Sequence, residues 1–569
     1  MARNAGFCMG VKRALEMVLA RRPREKKETV TYGPLIHNPQ VVELLASRKI
    51  SSSRDFSKLT EDKLGFISAH GVSPRVRRRL RETGAEICDA SCPDVIKVQG
   101  IIKKHALEGY ATVIFGDKGH SEVEGLLGFS EGRGWVVGSV EEAEKLPPLE
   151  RICLVSQTTQ NQEEYSKLIR FLREKFKHVR VFPTICASTR RRQEELEEMI
   201  RRIDSLVVVG GRNSANTARL TSMARRRSLP VFQVETADEL DMEKIGNPSK
   251  IGVTAGASTP NWLIQGVVDR LRDWNWSRKP LVIRYGYLLV SVLVKANLFL
   301  ALGAASLTYA SARLLGLPPR WESLLLSFSY IFTIYNLNIF ADQPAILLNQ
   351  PSRYRFYRHH RKVLLALSLI ALLIAVLCAV LLGPVSLLLS LFILLLGLFY
   401  SLKIFPPLFS WRRLKDLPGS KEIFSSAGWG TLAVLIPAFA AQRTVSPASG
   451  TAVAFAFVFI IMFVRSTLLD IRDLQGDRLA GRETIPVLIG KEKTKVLLGV
   501  LTSLLALLII IAEYRGWIPA FGYYYLAVIA YAYFYLFLYH RRILYQDLFH
   551  EMVVDATPLV AGIIAFFAP

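Results

Sequence analysis

The stretch RDWNWSRKPLVIRYGYLL, Arg272 to Leu289, divides this chain into two kinds of sequence. Trp274 and Trp276 stand among Arg272, Arg278, Lys279 and Arg284, just before an apolar run begins. Amphipathic rings and basic side chains favour the headgroup layer of a bilayer. A linker between soluble domains could carry the same residues, but the chain beyond Tyr285 stays apolar for too long. From Val363 to Leu402 there is no Asp, Glu, Lys or Arg. One membrane span needs about 20 such residues, so this stretch fits two spans hinged at Gly383-Pro384. Before the junction charge is present throughout, as in the run from Arg75 to Arg81. The expected division is a soluble α/β domain over 1–275 and an all-α membrane bundle over 276–569.

Over the 569 residues the hydrophobic share is 51% and the formal net charge +24, averages that describe neither half. A basic chain can serve nucleic acid, but the aromatic-basic interleaving that stacks single strands is absent. No nucleic-acid partner is expected, because cytoplasmic loops against anionic membrane lipid account for the charge better. Met1–Gly10 has no apolar core of the secretory kind, so the first half is expected in the cytoplasm. Disulfides are rare there. Five of the six Cys precede the junction, and their expected role is metal binding or catalysis.

In the first half, short apolar runs alternate with helix-like segments. The runs are Leu64–Ser68, Thr112–Phe115, Ile152–Val155, Leu206–Val209 and Ile251–Val253. That alternation predicts parallel sheets with helical crossovers. Each run ends in a small polar cluster: SAHG, GDKGH, SQTT, GGRNSAN and TAGAS. One such cluster would mean only a turn. Five at the same place in five units point to one pocket at the carboxyl ends of the strands. Cys8 in GFCMGVKRA, Cys92 in DASCPDVIK and Cys186 in TICASTRRRQ share the pattern. They form no CxxC pair, which argues against a zinc ribbon. Three thiolates from three sub-domains can hold an iron–sulfur cluster, and a four-iron cluster then keeps one iron open. Cys88 and Cys153 lie in apolar runs and read as buried small hydrophobes.

In order, GFCMGVKRA, GPLIHNPQVV, SAHGVSP, DASCPDVIKV, GHSEVEG, SQTT, GGRNSANTARL and GVTAGASTP resemble the motifs of the IspH (LytB) family, over about residues 5–272. That family is the 4-hydroxy-3-methylbut-2-enyl diphosphate reductase of the non-mevalonate isoprenoid pathway. The resemblance implies three α/β sub-domains around a [4Fe-4S] cluster held by Cys8, Cys92 and Cys186. It implies that the substrate diphosphate lies against His37, His70, Ser214, Asn216 and Ser258. His120, Glu122 and Thr158 would face the hydroxyl end, with Glu122 in the proton relay. Imidazoles, hydroxyls and an amide can donate to phosphate oxygens without a Lys. A ferredoxin- or flavodoxin-type electron donor is implied. Two positions depart from the family. Ala215 replaces the second Ser of its NSSN, removing one phosphate contact. The chain also opens MARNAGFC, where the family has a full apolar strand before GFC: either that strand is absent, which leaves Cys8 on a less supported backbone, or the start codon is misassigned.

After the junction, nine candidate spans follow hydropathy: about 285–312, 321–341, 362–382, 385–402, 423–441, 451–468, 495–513, 520–539 and 552–568. Even-numbered loops are basic. The second holds Arg353, Arg355, Arg358, Arg361 and Lys362, and the fourth Arg412, Arg413, Lys415 and Lys421. The sixth holds Arg472, Arg478, Arg482, Lys491, Lys493 and Lys495, and the eighth Arg541 and Arg542. Odd loops are nearly bare, with Arg320, Arg443 and Arg515. The alternation obeys the positive-inside rule and places the C-terminus outside. The expected location is a multi-pass inner (cell) membrane protein with the first domain in the cytoplasm. In the sixth loop, Asp470, Asp473 and Asp477 follow DxxDxxxD, a spacing that puts three carboxylates on one helical face. With Mg²⁺ they make a hard oxygen site able to bridge a diphosphate. Arg472 and Arg478 would suit an ordinary solvated face, but ionisable residues at the end of a span usually mark function.

This stretch and the TIPVLIG after it resemble the second aspartate motif of the UbiA superfamily of intramembrane prenyltransferases. YSLKIFPP from Tyr400 and LKDLPGSKE from Leu414 resemble its middle loop. The resemblance covers about residues 285–569. In NIFADQPAILLNQPSR, the family's first aspartate motif keeps Asn338 and Asp342, while Ile339 and Ile346 stand where Asp is expected. Arg353, Arg355 or Arg358 could offset that by pairing with phosphate directly. The two resemblances imply a reductase of a C5 diphosphate joined to a Mg²⁺-dependent enzyme moving a prenyl group from its diphosphate to a lipophilic acceptor. The alternative is an active reductase on a catalytically degenerate UbiA-like anchor or binding module.

Overall fold

A computed structural model describes residues 1–21, 27–401, 414, 417–441, 448–541 and 548–568. The chain folds as two compact units, Met1–Trp274 and Asn275–Pro569. Arg412, Arg413, Lys415, Arg443, Arg542 and most of YSLKIFPP lie outside the described residues.

The first unit carries three all-parallel sheets. One contains β1 (Glu28–Tyr32), β2 (Ile50–Ser53), β3 (Lys63–Ile67) and β4 (Glu86–Asp89), in the order β2-β1-β3-β4. The next contains β5 (Ala111–Phe115), β6 (Gly134–Val137), β7 (Arg151–Ser156) and β8 (His178–Val181), in the order β6-β5-β7-β8. The last contains β9 (Ser205–Val209), β10 (Val231–Val234) and β11 (Ile251–Ala255), in the order β10-β9-β11. Strands with helices on both faces read as continuous apolar runs. Accordingly β5 and β9 are buried along their whole length. Cys88 and Cys153 are buried within β4 and β7. Residues 2–8 form no strand. They are nonetheless tied to the last sheet, through Ala2 N–H on Val253 O (2.8 Å) and Cys8 N–H on Ala257 O (3.0 Å).

The second unit is all helical. Seven of its described helices are long and apolar enough to cross a membrane: Trp321–Ala341, Arg361–Leu381, Ser420–Ala440, Ala448–Ala480, Lys491–Tyr514, Ala520–His540 and Leu548–Phe567. The first expected span is a bent pair, Leu281–Lys295 and Leu298–Leu314, meeting at 66°. The fourth matches the shorter apolar helix Pro384–Ser401. Nine is therefore an approximate count of a multi-pass bundle. The sixth expected span runs far past its expected end, as the 33-residue helix Ala448–Ala480. Asp470, Asp473 and Asp477 thus belong to that continuous helix and not to a loop. Outward faces are apolar, as at Leu281, Val282 and Tyr285. Inside, small residues let helices approach: a Cβ on Gly562 would fall 1.9 Å from Ser306 Oγ.

Asn297 sits at the bend, in the left-handed region at φ 61°. Its Nδ2 donates to Asn336 Oδ1 (3.0 Å) and Tyr357 Oη (2.9 Å), all buried. Asn tolerates this backbone, whereas Ala there costs about 1–2 kcal/mol. Asn297→Ala should therefore lower the thermal stability of the detergent-solubilised protein more than Asn297→Gly, although both lose the same hydrogen bonds. Equal losses would show that the backbone conformation contributes nothing.

Candidate active site

In parallel units, each strand hands over to a helix through a short turn, and side chains at that turn cap the helix. Three expected site residues are such caps in the first unit, His120 before Ser121–Leu127, Cys186 before Ala187–Ile200 and Ser214 before Ala215–Arg225, and Cys92 holds the same position before Pro93–Leu107 without a side-chain cap bond. Cys8 immediately precedes Met9–Arg21. The three expected cluster cysteines therefore lie at helix N-termini, where exposed N–H groups and the helix dipole favour an anion. Val11 N–H points at Cys8 Sγ (3.4 Å) and Thr189 N–H at Cys186 Sγ (3.3 Å).

The structure brings Cys8 and Cys92 together, with Cys186 near enough to Cys8 for the two thiols to act on each other. A Cβ on Gly10 would lie 2.6 Å from Cys92 Sγ and 3.9 Å from Cys8 Sγ, so glycine leaves room there for the sulfurs. Burial pushes the Cys92 thiol up to about 11 and raises that of Cys186, with Thr189 opposing the rise at Cys186. Thiolates at such depth need a positive partner. Among the described residues, no three His, Cys, Asp or Glu side chains close to the spacing of a single metal ion. A four-iron cluster is much wider than an ion, so its ligands stand further apart, and the donor chemistry fits that group.

Each cysteine is also fastened to a polar cluster at a strand end. Cys92 N–H donates to Ala69 O (2.9 Å), Cys186 N–H to Thr158 O (3.1 Å) and Cys8 N–H to Ala257 O (3.0 Å). Ala69 adjoins His70 and Ala257 adjoins Ser258. The imidazoles of His37, His70 and His120 gather, with His37 and His70 stacked at 4.1 Å and His120 at 5.3 and 5.8 Å from them. Burial, then the nearby His120 and Arg54, pulls His37 down to about 4. Burial holds His70 well below its ordinary value and lowers His120. All three are neutral near pH 7. Ser258 Oγ donates to His37 O (3.0 Å) and lies 3.5 Å from Ser214 Oγ. His70 Nε2 and both amide atoms of Asn216 are buried with no protein partner. Buried polar groups left open in this way suit an anionic ligand that accepts from several donors. Ala215, where the family has Ser, brings no such group.

Glu122 is buried, and its carboxylate accepts from Thr158 N (2.6 Å) and Thr158 Oγ (3.0 Å). Burial raises it to about 7 against those two hydrogen bonds. A carboxyl group titrating there is suited to proton delivery at neutral pH. Arg192 gives no signal in the sequence, lost in the charged run Arg190–Arg192, yet it is buried beside Cys8 and Cys186.

In the second unit the carboxylates meet cations. Asp470 accepts from Lys421. Asp473 accepts from Arg472 Nε (2.7 Å) and Nη2 (3.1 Å). Asp477 accepts from Asn349 Nδ2 (2.8 Å) and Arg482 Nη1 (3.3 Å). Arg482 also bridges to Asp342. Lys421 and Arg482 are thus site residues and not merely basic loop charge, and sequence reasoning misses both Asn349 and Glu422, which lies buried beside Asp470. One carboxylate oxygen on each of Asp470, Asp477 and Glu422 is buried without a protein partner, so this group fits a cation better than Asp473 or Asp342 does. Asn338 is exposed. Ile339 packs with Ala296, Tyr357 and Leu364, and Ile346 lies against them, so the altered first motif has become an apolar contact. Arg353, expected as a phosphate ligand, is instead buried on Glu551 (2.7 Å), Gln350 and the Val294 carbonyl. Arg355 and Arg358 are exposed.

Residues 1–272 match the family described as LytB protein, and residues 358–549 match the UbiA prenyltransferase family. A 4-hydroxy-3-methylbut-2-enyl diphosphate reductase of Opitutus terrae is 43% identical over 281 residues, which cover 48% of this chain and 97% of that protein. A solved (E)-1-hydroxy-2-methyl-but-2-enyl-4-diphosphate reductase of Plasmodium falciparum aligns at 30% identity and a TM-score of 0.45, over 47% of this chain and 85% of that one. A UbiA homologue of Aeropyrum pernix K1 aligns at 18% identity and a TM-score of 0.37, over 47% of this chain and 96% of that one.

Thr158 Oγ stabilises ionised Glu122, so Thr158→Val should move the Glu122 titration, at about 7 in the wild type, upward. Difference infrared spectra of the carboxyl band, with Glu122→Gln as the blank, check this. An unmoved midpoint would show that the hydroxyl does not hold the carboxylate.

Proposed function

The chain belongs, through residues 1–272, to the LytB protein family, and from that premise we propose a bifunctional isoprenoid enzyme. Its first domain, 1–275, reductively dehydroxylates 4-hydroxy-3-methylbut-2-enyl diphosphate. Two electrons and two protons enter, the C–O bond to the hydroxyl breaks, a C–H bond forms, and water leaves with isopentenyl or dimethylallyl diphosphate. The observation that carries this reading is the fastening of Cys8, Cys92 and Cys186 to the loops of the histidine-lined pocket.

A four-iron cluster bound at those thiols supplies electrons one at a time, drawn from a ferredoxin- or flavodoxin-type donor. Neutral His37 and His70, with Ser214, Asn216 and Ser258, donate to the diphosphate oxygens. His120 and Thr158 orient the hydroxyl end. Glu122 delivers the proton that lets the hydroxyl leave as water. A carboxyl group that must be protonated is lost as pH rises through its titration. Burial places that titration at about 7, so kcat/KM should fall as pH rises above it.

The second domain, 276–569, transfers a prenyl group from its diphosphate to a lipophilic acceptor, with the first domain on the cytoplasmic side of the inner membrane. Mg²⁺ would be held mainly by Asp470, Asp473 and Asp477, with Asp342 and Asn338 subordinate. The open oxygens of Asp470 and Asp477 support this role, whereas Asp473 would first have to release Arg472. A second reading, a membrane anchor for the reductase, is favoured by one observation: Ile339 and Ile346 pack as apolar residues where carboxylates are expected.

Anaerobically purified full-length protein with reduced donor should convert the substrate to C5 diphosphates. Glu122→Gln should cost about 10²–10⁴-fold in turnover while the diphosphate still binds, and a loss under about tenfold would remove Glu122 from the relay. For the second domain, Asp477→Ala should abolish Mg²⁺-dependent binding of a prenyl diphosphate and leave reductase turnover unchanged. Wild-type protein without Mg²⁺-dependent affinity for any prenyl diphosphate would establish the anchor reading.

A further inference from the structure

The helix Ala187–Ile200 begins at Cys186, and two of its side chains reach back to the segment that carries Cys8. Glu195 accepts from the backbone N–H groups of Arg3 and Asn4 and from Asn4 Nδ2 (2.9 Å). Arg192 donates from Nη2 to the Gly6 carbonyl and from Nη1 to Ser188 O (3.2 Å) and Ser188 Oγ. Arg192 is 4% exposed, and its Nε–H is buried with no partner among the described residues. Every acceptor it has is neutral. A guanidinium in such a place is costly unless an anion compensates it. Cys8 and Cys186, once ionised as cluster ligands, would act on it most, ahead of Glu195, whose oxygens are already taken by Arg3 and Asn4.

A cluster on three thiolates is anionic, and each electron added makes it more so. A fixed positive charge beside two of the three ligands stabilises the reduced state more than the oxidised one. The same side chain fastens Gly6, two residues before Cys8, in a stretch, residues 2–8, that forms no strand. Gly6 itself is at φ +108°, and a Cβ there would lie 2.6 Å from Asn261 Oδ1, so only glycine fits at this point of the segment.

We propose that Arg192 is the buried counter-charge of the iron–sulfur cluster, a positioning residue that raises its reduction potential while tying the Cys8 segment to the helix that bears Cys186. This rests on the reading that Cys8, Cys92 and Cys186 hold a four-iron cluster. Full-length protein, wild type and the Arg192→Lys and Arg192→Gln variants, is purified anaerobically. Iron per chain is measured, and the cluster is titrated by electron paramagnetic resonance against redox mediators. Arg192→Lys keeps the charge and should stay near the wild-type midpoint. Arg192→Gln should shift the reduction equilibrium at least about tenfold toward the oxidised form, about 59 mV for a one-electron couple. If Arg192→Gln folds normally but loses its iron while Arg192→Lys keeps it, the charge is needed to assemble the site, which also supports the proposal. Arg192→Gln with a full cluster at an unchanged midpoint overturns it, as does a folded Arg192→Lys protein without iron. Wild-type protein that holds no four-iron cluster overturns the proposed reductase reading, and this inference with it.

Discussion

Three backbone hydrogen bonds govern the first unit: Cys92 to Ala69, Cys186 to Thr158 and Cys8 to Ala257. Each links a thiol at a helix N-terminus to the polar turn of another strand. None can move alone, because each acceptor lies in or beside a residue of the pocket that holds His70, Glu122 and Ser258. The three sheets bury their own apolar faces independently, and the pocket exists only where their turns meet. Strand ends in parallel sheets are where unspent backbone groups and small polar side chains collect. The chain puts thiols, imidazoles and hydroxyls at those positions, and the fold supplies their convergence.

The membrane half faces the opposite constraint. Charges buried among helices must be paired, and here they are, in chains that cross the bundle: Arg465 with Asp555 (2.6 Å), Arg353 with Glu551 (2.7 Å), and Arg482 with both Asp342 and Asp477. Arg482 joins the surviving carboxylate of the first aspartate motif to the second motif. That pairing offsets the negative charge of the group without a metal. The oxygens left open on Asp470, Asp477 and Glu422 are the part of this group that the protein's own cations do not take up.

Legibility in the sequence tracks burial. Four of the five apolar runs are interior strands, namely β3, β5, β7 and β9, with β11 at an edge. The strands without an apolar signature, such as ISSS at β2 and HVRV at β8, lie mostly at sheet edges, where one side needs no apolar residue. Cys8, Cys92 and Cys186 are legible because lone thiols in polar turns have few structural uses. Arg192 is not, because a buried Arg in an exposed charge run looks like its neighbours Arg190 and Arg191. Lys421 and Arg482 look like topogenic loop charge, and only their ion pairs in the fold show that they reach Asp470 and Asp477. The spans at 321–341 and 362–382 are nearly residue-accurate because hydropathy alone defines them. The bend at Asn297 has no hydropathy signal, since a left-handed Asn leaves the apolar pattern unbroken.

The proposed chemistry of the first unit depends on three thiols holding one cluster. Mössbauer spectroscopy of full-length protein grown on ⁵⁷Fe and purified without oxygen tests it most directly. The predicted spectrum is that of a four-iron cluster with one iron site distinct from the other three, the site without a cysteine ligand. A protein without bound iron, or a spectrum with no distinct site that is unchanged in Cys92→Ser, would contradict it.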